Sequence, residues 1–306
     1  MNNTTALYEY HCGDRKAQDI VALVLLIVGI ISNIAFLYTV FCLNEMRAVT
    51  ANVYLCNLAV ADMMFLVCNG IGIVCKVIRH AAGNFDACKA ILSSTVFHCI
   101  ANFVAATSFY ASALIIGVIA LERYFAICRP LRGTNCLLCL RRTSCVLQTT
   151  CWVAASIASV TNFLPCCGFG HLKLAIEEGQ NLTMICLFFL LAVCIPALYI
   201  QMARSLWRSS HNEFLNSPVA WDTEKQVMRV CLITAVTFVV FILPYIVRLI
   251  LDLMVYHFGI NNLHAYICFF NVPMYFLMLN SAANPILYGI ASSRYRKAFK
   301  IAFHCG

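Results

Sequence analysis

Long apolar runs separated by short polar stretches set the pattern of this chain. Crossing hydrocarbon roughly 30 Å thick, at a helical rise of about 1.5 Å per residue, takes about 20 mostly apolar residues. Seven runs meet that length: Ile20–Leu43, Ala51–Cys75, Thr95–Leu121, Thr143–Cys167, Leu182–Ala203, Val230–Leu251 and Leu263–Ile290. Lipid offers no water to unpaired backbone groups, and the runs lack the alternation of barrel strands, so each reads as a helix. The expected fold is an all-α membrane protein, a bundle of seven transmembrane helices. After the seventh run, Tyr295, Phe299 and Phe303 recur every four residues with basic residues between them, which predicts a short amphipathic helix on the membrane surface. The chain thus divides into a polar N-terminal segment (1–19), a membrane domain (20–290) and an amphipathic helix with the C-terminus (291–306). The polar start carries no short apolar stretch ahead of a small-residue cleavage site, so the first span is expected to serve as targeting signal.

Composition excludes whole classes. The 306 residues are 62% hydrophobic and 11% charged, against about 45–50% and 25% in soluble domains. A soluble enzyme, a nucleic-acid binder and a disordered chain are all ruled out on that ground. The net charge of +8 comes from 21 Lys and Arg against 13 Asp and Glu. In a membrane protein such an excess marks cytoplasmic loops. With the N-terminus extracellular, the inner segments hold thirteen basic residues and the outer ones six, so the expected topology is N-terminus out, in the plasma membrane. Asn2, Asn3 and Asn181 each begin an Asn-x-Ser/Thr glycosylation triplet and fall outside on this topology. Most of the 19 cysteines lie in apolar runs, where Cys is a small hydrophobe. Cys136 and Cys139 have metal-ligand spacing but no second pair, so reduced thiols are the expectation. Cys305 is a palmitoylation candidate.

Charge inside the spans is costly, about 2.5–3.5 kcal/mol per residue on insertion scales, and therefore functional by default. Asp62 sits mid-span in Leu58-Ala59-Val60-Ala61-Asp62 and needs a partner. The third span ends in Glu122-Arg123-Tyr124, where Arg123 can pair with Glu122. The first span holds Asn33, the fourth Trp152, the fifth Pro196, and the sixth Phe238 and Pro244. The seventh reads Asn280-Ser281-Ala282-Ala283-Asn284-Pro285-Ile286-Leu287-Tyr288. Pro244 removes a backbone hydrogen bond and allows a kink, which moves the inner end of its helix far for a small change near the kink.

Taken together and in order, one set per span, these residues resemble the rhodopsin-like (class A) G-protein-coupled receptors, peptide receptors in particular, over about Ile20 to Phe303. The resemblance implies an activation switch of Glu122, Arg123, Tyr124, Phe238, Pro244, Asn284, Pro285 and Tyr288. It includes Glu224 reaching across to Arg123 in the resting state. It also implies an allosteric sodium site at Asp62, Ser112, Asn280 and Asn284, with a hydrogen-bonded cluster without an ion as the other reading; no other metal or cofactor is expected. Two residues depart from the pattern. Ile242 stands where the family carries Trp two before the sixth-span proline, and Arg204 where it carries Tyr eight after Pro196. The family's outer disulfide falls on Cys99 when counted back from Arg123 and on Cys88 when counted forward from Asp62, with Cys166 or Cys167 as partner. The Asp62-to-Arg123 interval is about ten residues longer than the family's, so the two counts conflict.

The resemblance also narrows the ligand. Ala105 stands where amine receptors carry Asp, and Met278 where opsins carry the retinal Lys, so neither ligand is expected. The pocket wall is expected to include Phe109, Tyr245, Arg248, Leu249, Asp252, Phe270 and Met274. Aromatics with a few charges suit a peptide; a lipid or small acid paired to Arg248 is the alternative ligand. Pro130 and Leu131 are the expected G-protein contact, an apolar residue in a basic loop. No internal repeat is visible, which disfavours a transporter or channel, and no catalytic constellation falls within one membrane level. The expected partners are an extracellular peptide, a heterotrimeric G protein and membrane lipids, with no nucleic acid. Arrestin recruitment is expected to be weak, because no Ser or Thr follows Ser293.

Overall fold

The computed structural model describes residues 15–83, 86–128, 141–167, 173–211, 218–258 and 272–304. Eight helices carry the architecture: α1 (Arg15–Cys42), α2 (Thr50–Ala82), α3 (Thr95–Cys128), α4 (Arg141–Ser159), α5 (Lys173–His211), α6 (Pro218–Phe258), α7 (Val272–Ala291) and α8 (Ser293–His304). Two short helices, Asn44–Arg47 and Asp86–Ser93, lie on either side of α2. Among the described residues there is no strand. The central helix is α3, packed against α2, α4, α5 and α6; α7 closes the ring against α1, α2 and α6. The end of the bundle that holds Arg123 and α8 is called the base below, and the end that holds Arg248 the mouth.

Six helices, α1 to α6, are long and apolar enough to cross a membrane. The seventh expected span is present as α7, but its polar row lowers its hydropathy. Asn280, Asn284 and Tyr288 are spaced by four and share one face, and all three are buried. The expected stretch before Val272 lies outside the described residues. Elsewhere the helices differ from the apolar runs at their ends. α5 starts at Lys173 rather than Leu182, so the polar stretch Glu177–Asn181 is helical, and α6 reaches from Pro218 to Phe258. The extensions at Glu177–Asn181 and Asp222–Arg229 are rich in polar residues and so fall outside the apolar runs. α4 ends at Ser159 and continues as a 3₁₀ segment over Val160–Cys167. α2 stops at Gly83, whose φ of +77° lies in the left-handed region that glycine tolerates.

The α1–α2–α7 corner shows how sequence forces close packing. A Cβ on Gly29 would stand 2.6 Å from Leu66 Cδ1 and 3.1 Å from Ala282 Cβ, so only glycine permits this approach. Pro285 has no N–H, which leaves the carbonyl of Ser281, four residues earlier, without its helical donor. Asn33 Nδ2 supplies the missing bond at 2.9 Å and also donates to Gly29 O at 2.8 Å. Ser32 Oγ donates to Ala282 O at 3.1 Å.

Candidate functional site

Polar groups sit at three levels of the bundle. At mid-level, Asp62 on α2 is 2% exposed and accepts a hydrogen bond from Asn284 Nδ2 at 2.8 Å. The Ser281 hydroxyl bonds the same carboxylate. A small cavity of about 10 Å³ adjoins it, lined in part by Asp62, Ser108, Ser112, Phe238 and Asn280. That is room for about one water-sized body. Asn280 Oδ1 and Asn284 Oδ1 are buried here without a hydrogen-bond partner among the described residues. A carboxylate, hydroxyls and the Asn280 amide lining a small cavity, with Asn284 bonded to the carboxylate, suit a small hard cation.

At the base, Glu122 and Arg123 form a bidentate pair, Nε to Oε2 and Nη2 to Oε1 at 2.5 Å each, with both side chains almost fully buried. Planar fork-to-carboxylate geometry is the strong form of this bond. Tyr124 is half-buried beside Phe125. Tyr288 is buried between the levels. Its ring meets Phe36 edge-on at 5.1 Å and Tyr295 at 5.8 Å, and its hydroxyl bonds Thr234 on α6. Ile242 and Phe238 are fully buried on α6. Glu224 lies in the first turns of α6, but its side chain, like Pro130 and Leu131, is outside the described residues.

The departure at Arg204 stands, and the fold places a different tyrosine near Arg123. Counting from Pro196 places Arg204 where a tyrosine is expected, but Pro196 and Arg204 are both exposed. Tyr199 on the same helix is buried, within electrostatic range of Arg123 and of Cys231 on α6. A tyrosine therefore does stand near Arg123, five positions before the count.

At the mouth, Phe109 and Tyr245 approach with ring centroids 6.0 Å apart. Arg248 Nε lies 3.6 Å from Asp252 Oδ2, one turn on along α6. Leu249 is buried in the core and Met274 half-buried against it. Phe270 lies outside the described residues. Two pairs that the sequence reading missed bridge helices here: His80 to Asp19 at 3.0 Å, and His257 to Glu178 at 2.7 Å. Their only sequence signal is a histidine near a span end.

The disulfide alternatives divide. Cys88 is bonded to Cys75, with a Cα separation of 5.4 Å, so its expected pairing with Cys166 or Cys167 is not formed. The helix Asp86–Ser93 accounts for the extra residues between Asp62 and Arg123, and it folds back so that Cys88 reaches α2 rather than a distant loop. Cys99 is disulfide-bonded as well; the side chains of Cys166 and Cys167 are outside the described residues. Asn181 lies on α5 rather than in a loop. Asn2, Asn3 and Cys305 are outside the described residues.

The chain matches the model of the 7 transmembrane receptor (rhodopsin family) over residues 32–288. It is 27% identical to growth hormone secretagogue receptor type 1 of Mus musculus over 90% of this chain and 78% of that protein. It is 26% identical to somatostatin receptor type 4 of Rattus norvegicus (92% and 71%) and 25% identical to type-1 angiotensin II receptor of Sus scrofa (90% and 77%). With most of its length matched, the bundle and its three polar levels belong to a known class: the chain is a member of the rhodopsin family of seven-transmembrane receptors, a multi-pass membrane protein and not an enzyme.

Proposed function

We propose that the chain is a plasma-membrane receptor for an extracellular peptide that activates a heterotrimeric G protein, with the mouth outside and the base in the cytosol. The observation that carries this reading is the placement of charge. A partly exposed Arg248–Asp252 pair stands beside aromatic rings at the mouth, and a buried Glu122–Arg123 pair stands at the base. A mouth offering both signs of charge beside aromatics suits a peptide, which carries both. A lone acid would first have to displace Asp252 from Arg248, which disfavours a lipid or small-acid ligand. The relatives' names, for somatostatin and angiotensin II, point the same way. Activation swings the base end of α6 outward and breaks a resting-state pair between Arg123 and Glu224, the kind of two-state contact that switches use. The test is G-protein activation in transfected cells against pooled peptides, with Arg248→Ala as control. A response that survives Arg248→Ala unchanged would remove Arg248 from the pocket.

Asp62, Ser112, Asn280 and Asn284 are the residues that would hold sodium at mid-level. The ion would supply positive charge to a buried carboxylate and favour the resting packing of α2, α3 and α7. Sodium is expected to lower agonist affinity by about 5–150-fold, the usual span of allosteric coupling. Asp62→Asn should abolish that effect, and wild-type affinity indifferent to sodium would reduce the cluster to a structural one.

A further inference from the structure

α8 begins at Ser293, directly after the break at Ser292. A helix start leaves its first N–H groups without intrahelical acceptors, and a side chain just ahead of the helix normally takes one of them. Here the acceptor arrives from a different helix. Gln226 Oε1, near the base end of α6, accepts from the Arg294 backbone N–H at 3.2 Å, from Ser292 Oγ at 2.9 Å and from Ser293 Oγ at 3.2 Å. One side-chain oxygen thus ties α6 to the α7–α8 junction across sequence separations of 66 to 68 residues.

We propose that this contact is a clasp: Gln226 is a positioning residue that holds the base end of α6 in the resting receptor, and signalling requires its release. The inference rests on the proposed function, since it needs α6 to move outward. Other attachments of α8 run to α7, where Arg296 Nη1 donates to Gly289 O and Ile290 O, and to the α1–α2 side. Tyr295 OH donates to Asn52 Oδ1 on α2, Asn52 Nδ2 donates to Met46 O at 2.7 Å, and Arg294 Nη2 donates to Glu45 O at 3.2 Å. Burial raises the Tyr295 pKa above its ordinary value, so the phenol stays protonated and remains a donor. When α6 swings, these attachments stay while the Gln226 bonds break.

The surroundings suit a contact that opens and recloses. Gln226 is half-buried, and a cleft of about 770 Å³ opens beside it, lined by Asn44, Glu45, Arg294 and Lys297 among others. Water entering there can take over each donor and the amide oxygen as they part, so no polar group is left buried and unpaired. Glu122 and Arg123 have no such access. The start of α8 also carries the positive end of the helix dipole, so a negative charge at residue 226 would strengthen the clasp.

The test compares wild type, Gln226→Ala, Gln226→Glu and Ser293→Ala by two readouts. Hydrogen exchange of the Arg294–Lys297 amides, in purified receptor, reports the cap. Basal guanine-nucleotide exchange on the G protein, at equal surface expression, reports the switch. Gln226→Ala should speed amide exchange several-fold and raise basal signalling several-fold. Gln226→Glu should slow the first and lower the second. Ser293→Ala, at an exposed position, should move both weakly in the alanine direction and keeps the test available if Gln226→Ala does not fold. Amide exchange unchanged in Gln226→Ala overturns the clasp. Faster exchange with unchanged basal signalling, where Glu224→Ala does raise it, overturns its part in the switch. Faster exchange while no variant, wild type included, activates any G protein upholds the contact and overturns the proposed function instead.

Discussion

The two ends of the bundle both pair acidic with basic side chains, but they bury them differently. At the base the Arg123 and Glu122 side chains are 7% and 2% exposed and joined by two bonds. At the mouth His257 and Glu178 are 52% and 38% exposed, and Arg248 and Asp252 22% and 26%. A buried pair is held in one geometry, because losing either partner strands a charge away from water. An exposed pair is screened and replaceable, and is worth about 0–1 kcal/mol. The base therefore holds a defined arrangement until a strong enough input replaces it, and the mouth can change its residues without unfolding the receptor. A receptor needs both: one end that switches and one that adapts to a ligand.

The sharpest way to break this contrast is to remove one partner at the base. Arg123→Ala leaves Glu122 buried and unpaired, and should cost about 3–5 kcal/mol, read as the largest loss of melting temperature among these variants in purified receptor. A loss under about 1 kcal/mol would place the pair with the exposed ones.

A smaller effect is expected where α1 repairs α7. Asn33→Ala removes the donor to the carbonyl that Pro285 leaves open, a loss of about 1–2 kcal/mol by comparison with other interhelical bonds in membranes. Pro285→Ala returns a backbone donor to Ser281 O, so the Asn33 substitution should cost less in that background. Equal cost in both backgrounds, by double-mutant cycle, would show that the bond does not answer the proline. Least of all, Glu178→Gln should change stability by under about 1 kcal/mol, and its effect should fade as salt rises; a large salt-independent loss would show that the mouth stores as much as the base.

The sequence made some of this legible and hid the rest for physical reasons. Continuous apolar runs announce α1 to α6, because hydrocarbon sets both their length and their composition. The ends of α5 and α6 stay hidden, since charged and amide residues in Lys173–Asn181 and Pro218–Arg229 interrupt the apolar runs while the helices continue. α7 falls outside the set of six helices apolar enough to span, because Asn280, Ser281 and Asn284 interrupt it, yet those buried residues are what made it recognisable. The buried Glu122–Arg123 pair follows from adjacency alone. Tyr199 was missed because its place near Arg123 comes from the packing of α5 against α3, which leaves no local mark in the sequence. Gln226 and the Cys75–Cys88 bond left no local mark: one is a helix cap supplied from another helix, the other depends on the short helix Asp86–Ser93 folding back on α2.

The central claim is that the base holds the switch and the mouth reads the ligand. Basal and agonist-stimulated G-protein activation, compared at equal surface expression for Glu224→Ala and Asp252→Asn, tests it most directly. Glu224→Ala should raise basal activity several-fold with agonist still effective. Asp252→Asn should leave basal activity at the wild-type level and shift agonist potency. Raised basal activity in Asp252→Asn together with unchanged basal activity in Glu224→Ala would contradict the account.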